Sequence, residues 1–411
     1  MSRISTVTIT SQRSHTMENK NKIKLAILAV SSLLMISMTA SAILADISAH
    51  YPHVDQSIIQ MVLTLPALMG MTFALLSGPI TTKISKKNLV IFGLISAFAG
   101  GSMALLFGTI SIYVLHASSL LIGVAQGINS TMSMALIADY FSGNERSTLM
   151  GLQSAFVNGG SMVILLVSGF LAGIQWNYSY LIYLILVPVM AIVIKNLPGD
   201  SPVHDEHPSK PRDGKLNSVV FFTSIAMFAF ASLMFVFQTN ISIFIRDNGL
   251  GDASTAGMVN SVMTGTGALT GIFYGRIRGF LKSMIMPVAV CATGLGMLLV
   301  YAIGSLPSVF MAGIMVGFGL SSTIPTAMFN VSSAVSPVKS ATAIALTNGF
   351  MNIGMFASPL IINPLAVRLN PGIDGFRFLL SAVGLMVLSV VIYAGNKYTN
   401  RLLALSESSE Q

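Results

Sequence analysis

Long apolar runs alternate along this chain with short polar breaks, and the basic residues crowd into every second break. A run of about 18 to 25 apolar residues is what a helix needs to cross a bilayer. The chain therefore reads as twelve spans, at roughly 23–48, 57–81, 88–108, 112–141, 147–173, 178–196, 218–245, 253–275, 283–304, 307–335, 340–366 and 375–396. With the N-terminus in the cytoplasm, all of the 22 Lys and Arg residues except Arg246, Arg368 and Arg377 fall on the cytoplasmic side. Such a bias in short loops sets orientation. The expectation is an all-α polytopic protein of the cell membrane with both termini cytoplasmic.

Composition matters here for what it excludes. With 53% apolar and 9% charged residues, the chain is not a soluble globule. Its formal charge of +8 is spread over cytoplasmic loops, where it faces anionic lipid headgroups rather than nucleic acid. The single Cys291 allows no intramolecular disulfide. The first span is too long for a signal-peptide core and lacks a small-residue cleavage site, so it is expected to remain, and Met17 is an alternative start.

The one long polar connection is 197–217, with Pro198, Pro202, Pro208 and Pro211 among charged residues. It divides the chain into a tail (1–22), six spans (23–196), a cytoplasmic loop (197–217), six more spans (218–396) and a second tail (397–411). An even number of spans per half makes the repeat parallel. Residues repeat as well as hydropathy. Phe156, Asn158 and Gly160 recur 194 positions later as Phe350, Asn352 and Gly354, and at the same offset Gly123 matches Gly317, Thr148 matches Thr342 and Leu152 matches Leu346.

With this layout the chain resembles the major facilitator superfamily from about residue 22 to 397. The loop after span 2, Gly78 to Lys87, is similar to the superfamily's Gly-x-x-x-Asp-Arg-x-Gly-Arg-Arg/Lys, with Thr82 in place of the aspartate and Ser85 in place of the second glycine. Gly275-Arg276-Ile277-Arg278 half-matches it in the second half, and Tyr140 to Arg146 resembles the superfamily's loop between spans 4 and 5. The resemblance implies two pseudo-symmetric six-helix bundles rocking about a central cavity lined by spans 1, 4, 7 and 10 and parts of 2, 5, 8 and 11. It also implies a gating role for the loop residues Lys83, Lys86, Lys87, Asp139, Arg146 and Arg276, with Lys residues docking on a neighbouring helix. The glycines of span 5, among them Gly159, Gly160 and Gly169, are expected to let it approach span 8.

Charge inside a bilayer is costly and marks function. Only Asp46 and Asp139 among the 14 acids fall inside spans. Asp46, near the outer end of span 1, is the first candidate for proton coupling, with His116 of span 4 as its partner, since an imidazole beside a carboxylate titrates near neutral pH. Asp139 is expected to pair structurally with Arg146, and Arg246, beside Asp247, reads as an interface anchor. Neutral polar residues supply the expected substrate cavity: Gln126, Asn129 and Ser133 on one face of span 4, Phe235 and Gln238 on span 7, Thr326 and Asn330 on span 10, and Asn348 on span 11. Asn260 in span 8 is a further member, whereas the repeated Asn158 and Asn352 read as packing devices. The 26 Met and 23 Phe residues suit an adaptable apolar cavity.

An enzyme is not expected: His204-Asp205-Glu206-His207 lies in a Pro-rich loop without a metal-binding frame, and no nucleophile elbow or phosphate loop is present. A sensor or flippase of the same architecture is a lesser alternative. The sequence leads to a monomeric secondary transporter without cofactor or metal. Its partners are a small-molecule substrate, the lipid bilayer and protons as coupling ion. The principal reading is proton-coupled efflux of hydrophobic or amphipathic compounds; the alternative is uptake or exchange of a small organic anion without proton coupling.

Overall fold

The computed structural model describes residues 20–199, 218–335, 337–370 and 375–409. The segment before Lys20, the charged part of the central loop with His204 and His207, and Asp374 lie outside these residues. Everything described is helix or short turn. Eleven helical segments among the described residues are long and apolar enough to cross a membrane. One of them, Ala253–Ile303, runs for 51 residues, more than twice the bilayer requirement. It is divided at Lys282, which takes a positive φ of 49°.

The helices are α1 (Lys20–His50), α2 (Gln56–Ile80), α3 (Lys86–Phe107), α4 (Ile112–Tyr140), α5 (Gly143–Ala172) and α6 (Trp176–Asn196), followed by α7 (Ser218–Asp247), α8 (Ala253–Leu281), α9 (Ile285–Ile303), α10 (Leu306–Ser333), α11 (Pro337–Leu369) and α12 (Phe376–Ser409). Their starts follow from local chemistry. Asp55 caps α2 by accepting from the Ser57 amide at 2.8 Å, Ser85 caps α3, Ser111 caps α4 and Asp252 caps α8. A reciprocal box between Ser305 and Ser308 opens α10. Each satisfies one of the amides that a helix start leaves without a partner. The expected span limits agree within a few residues except at the end, where helix continues through the expected tail 397–411 as far as Ser409.

Packing repeats along the chain. Helix α2 lies along α4 as α8 lies along α10; α3 packs on α4 and α6 as α9 packs on α10 and α12; α5 meets α1 as α11 meets α7. The repeated residues explain the correspondence. A Cβ on Gly160 would collide with the Ser32 carbonyl of α1, and a Cβ on Gly354 with the Phe228 carbonyl of α7. Only glycine lets those backbones touch. The repeated asparagines make the same bond in both places. Asn158 Nδ2 donates to the Ser154 carbonyl at 2.9 Å, and Asn352 Nδ2 donates to the Asn348 carbonyl at 2.8 Å.

Helix α1 departs from its counterpart. It is helical to residue 31, passes through turn over 32–35 and a 3-10 turn at Ile36–Met38, and resumes as Thr39–His50. No Pro or Gly lies in this stretch. Instead Ser31, Ser32 and Thr39 hydroxyls bond back to the carbonyls of Ile27, Ala29 and Ile36, an arrangement that bends helices. Buried Tyr183 of α6 donates to the Ile36 carbonyl at 3.1 Å, so the disrupted turn is held from outside.

Candidate functional site

The antiparallel helices gather Lys20, Lys24, Lys83, Lys86, Lys87, Arg276 and Arg278 at one end, here termed the basic end; Asp46, Trp176 and Arg246 mark the far end. At the far end the helices before residue 200 are stitched to those after 218. Ser41 Oγ of α1 donates to the Gln238 carbonyl of α7 at 2.9 Å. One turn on, Ser242 Oγ donates to the Ala42 carbonyl at 2.7 Å and accepts from the Ala45 amide at 3.3 Å. Arg246 closes the row, 2.8 Å from Asp46 Oδ1 and 3.2 Å from the Ala45 carbonyl.

Two expectations are corrected by this row. Asp46 pairs with Arg246, not with His116, because the acidic face of α1 turns toward α7. His116 Nε2 instead lies 2.8 Å from the Ile58 carbonyl on α2. Arg246 is thus an interhelical partner rather than an isolated anchor. Beside the row, Tyr51 donates to the Gly108 carbonyl at 2.6 Å, and burial pushes its phenol pKa above the usual value.

Two further seams close the far end, and they occupy equivalent places. Helix α5 meets α8 at Gly169 and Gly257: a Cβ on Gly257 would lie 2.7 Å from the Leu165 carbonyl and 3.1 Å from the Gly169 Cα. Helix α2 meets α11 at Gln60 and Asn363, whose Nδ2 donates to Gln60 Oε1 at 2.9 Å and to Ser57 Oγ at 3.3 Å. Gln60 Nε2 donates to Asn240 Oδ1 of α7 at 2.8 Å, and Arg377 of α12 donates to the same oxygen at 3.2 Å. Asn363 stands 194 positions after Gly169, the offset of the repeat, so a backbone contact on one side answers an amide network on the other.

At the basic end the following bonds each stay within one set of six helices. Lys20 and Lys24 reach Glu145 at 3.2 and 3.7 Å. Lys86 pairs with Asp139 at 2.5 Å, with both side chains mostly buried at 20% and 12% exposure. This corrects the expected Asp139–Arg146 pair; Arg146 and Lys83 are exposed. Lys87 Nζ donates to the Ile194 and Leu197 carbonyls at 2.8 and 2.6 Å, where the end of α6 leaves carbonyls that attract a cation. Arg276 lies over Phe273 at 5.7 Å and Arg278 over Phe329 at 3.5 Å.

Between these ends lie the neutral polar side chains. Gln126, half-buried, accepts from Ser37 Oγ at 2.9 Å. Buried Asn129 lines the same narrow cleft between α1, α3, α4 and α6. Its Oδ1 has no partner, nor has Ser133 Oγ one turn on. Gln238 is buried, with Nε2 3.8 Å from Met263 Sδ of α8 and Oε1 unpaired. Phe235 is buried beside it on α7. Thr326 donates to the Ser322 carbonyl at 2.6 Å and lies 2.8 Å from the Tyr274 hydroxyl. Asn330 and Asn348 are half-buried. The structure brings Gln126 and Asn129 together; no hydrogen bond among described residues joins the α4 group to those on α7, α10 and α11.

Sequence reasoning passed over Ser37, Gln60, Asn240 and Asn363, which make the interhelical bonds. Aligning the halves at the repeat offset would have exposed Asn363, which stands opposite Gly169, and Gln60, which stands opposite the smaller Ser254. Asn260, fully buried on α8 with both amide atoms unpaired, is the most costly polar group of the interior. Among the described residues no group of His, Cys, Asp or Glu has metal-ligand spacing.

A family model, the Major Facilitator Superfamily, matches residues 25–399. The chain belongs to that superfamily. Similar folds include a POT family transporter, PepTSo, at 13% identity and TM-score 0.72, covering 92% of this chain and 98% of that one. A peptide transporter POT in complex with sulfate matches at 12% identity and TM-score 0.74, over 93% and 95% of the two chains. The nucleoside transporter NupG, as a point mutant, matches at 15% identity and TM-score 0.72, over 90% and 99%. No curated protein matches the sequence. This superfamily member is a multi-pass membrane transporter, not an enzyme.

Proposed function

We propose that the chain is a secondary active transporter of twelve spans, arranged as an N-terminal bundle (23–196) and a C-terminal bundle (218–396) that rock about a central vestibule. Dividing Ala253–Ile303 at Lys282 supplies the twelfth span. The observation that carries this reading is the one-sided closure. Every hydrogen bond described above between α1–α6 and α7–α12 lies in the far half of the helices. With the basic residues in the cytoplasm, this row of bonds supports a conformation that is shut outward and opens inward.

The substrate cavity is assigned to Gln126, Asn129 and Ser133 on α4, Phe235 and Gln238 on α7, Thr326 and Asn330 on α10, and Asn348 on α11. These are neutral donors and acceptors in an apolar, methionine-rich setting, which suits amphipathic organic compounds with few charges. Proton coupling is assigned to Asp46. Opening the outer side separates Asp46 from Arg246, and protonating the carboxylate removes the attraction that resists that separation. Lys86, Lys87 and Asp139 brace the cytoplasmic side within the N-terminal bundle. The direction proposed is efflux driven by proton entry.

The test uses proteoliposomes with an imposed pH gradient. Gradient-driven movement of lipophilic cations that Asp46→Asn abolishes supports the proposal; movement indifferent to the gradient refutes proton coupling. The paired state of both intramembrane acids favours a second reading, exchange of a small organic anion without protons, for which anion counterflow at constant pH is the assay.

A further inference from the structure

The break in α1 has no counterpart in α7. Helix α5 presses Gly160 on Ser32, and α11 presses Gly354 on Phe228, so position 32 corresponds to 228 and Ser37 to Leu233. Helix α7 runs unbroken from Ser218 to Asp247 through the equivalent stretch. Of the polar residues around the break, Ser37, Gln126 and Ser133 are unmatched. At the repeat offset Gln126 corresponds to Leu320 and Ser133 to Ala327, while Asn129 corresponds to Thr323, a buried hydroxyl too short to reach as far as the amide. A duplicated fold keeps the polar groups that its packing requires, as Asn158 and Asn352 show. Polar groups kept in one half only are not demanded by the fold.

Ser37 of α1 and Gln126 and Asn129 of α4 share one narrow cleft among apolar side chains, with Leu33 and Leu34 also lining it and a cavity volume of about 10 Å³, room for a single water-sized occupant. Asn129 is 5% exposed, and its Oδ1 is a buried acceptor without a donor. Leaving it so costs on the order of 1–3 kcal/mol. Ser37 Oγ and Gln126 Oε1, bonded to each other at 2.9 Å, retain lone pairs. In the broken turn the Ile36 amide bonds to Leu33 and the Met38 amide to Met35, so the Leu34 carbonyl accepts none of the turn's backbone bonds. The three side-chain oxygens thus belong to residues lining one cleft, Leu34 with its carbonyl free of the turn's bonds lines it too, and no carboxylate-bearing residue does.

We propose that this cleft binds a small monovalent cation, Na⁺, held by Asn129 Oδ1, Gln126 Oε1, Ser37 Oγ and the Leu34 carbonyl. This deepens the transport reading by giving Gln126 and Asn129 to the ion and leaving the solute to Ser133 and the residues of α7, α10 and α11. Hard cations take oxygen ligands, and a site without carboxylates favours a single charge over a divalent ion. Unwound backbone within a span is tolerated where it lines such a site. The ion would tie the two segments of α1 to α4. Because the second segment carries Asp46, occupancy would fix the bend that brings Asp46 to Arg246.

The test is thermal unfolding of the purified full chain in detergent, at constant ionic strength, in NaCl, KCl or choline chloride. The site predicts a saturable rise of the midpoint in NaCl only, lost in Asn129→Leu and regained in Asn129→Asp. Asp46→Asn keeps the rise. Ser37→Ala, which removes one ligand and little packing, shifts the concentration dependence at least several-fold and serves if Asn129→Leu does not fold. Equal midpoints in all three salts, or a sodium effect that survives Asn129→Leu, overturn the proposal. In the first case water alone satisfies Asn129. The readout needs no solute, so its failure leaves the transport reading standing.

Discussion

The seam between α5 and α8 offers a perturbation whose size can be worked out. Replacing Gly257 by valine places a Cβ 2.7 Å from the Leu165 carbonyl and 3.1 Å from the Gly169 Cα, both backbone atoms that cannot rotate away. Two helices must separate by several tenths of an ångström, and overpacking of this kind costs about 1–3 kcal/mol. The penalty falls on the conformation in which this seam is closed. An equilibrium shift of that size corresponds to about 5- to 150-fold. The assay replaces Cys291, the single cysteine, with serine and places a reporter at Ser57→Cys, which lies across the opposite seam. In Gly257→Val, labelling by an impermeant maleimide from the outer face should accelerate by about that factor. An unchanged rate in a folded protein would mean that α5 and α8 stay together in both conformations, and the seam would then be a fixed pivot.

Four further outcomes are expected. Arg246→Ala should change the unfolding midpoint by only a degree or two, because the pair is 44% and 28% exposed and such pairs contribute about 0–1 kcal/mol; its effect should appear in the pH dependence of transport. Lys86→Ala should destabilise more, by about 2–4 kcal/mol, since it strands a mostly buried Asp139 carboxylate, and Lys86→Ala with Asp139→Asn should recover most of that in chemical denaturation. Tyr183→Phe should cost about 1 kcal/mol by releasing the Ile36 carbonyl, read from the unfolding midpoint. Asn260→Leu should raise the midpoint and lower transport; loss of stability would show that the amide has a structural partner.

The helices were legible because a bilayer imposes both length and hydropathy on them. The repeat was legible because Gly160 and Gly354 do the same work in each half. What escaped was partner choice. Asp46 meets Arg246 across 200 positions, and nothing local says that α1 turns that face toward α7 rather than toward His116. Asp139 finds Lys86 instead of Arg146 because the start of α3 packs beside the end of α4. The break in α1 carries no proline or glycine. It coincides with three back-bonding hydroxyls and with Tyr183 of α6 holding the Ile36 carbonyl, a tertiary contact that residues 32–38 do not announce. Gln60 and Asn363 were overlooked for the opposite reason: lone amides in apolar spans look alike until the halves are aligned.

The central claim is that two bundles hinge about a vestibule now shut at the far end. Spin labels at His53 and Gly249 report that end, and labels at Lys83 and Gly279 report the basic end. Pulsed dipolar spectroscopy on the purified protein should give a short distance for the first pair and a long one for the second. In Gly257→Val the two should move in opposite senses. Distances that stay fixed, or that lengthen and shorten together, would contradict the account.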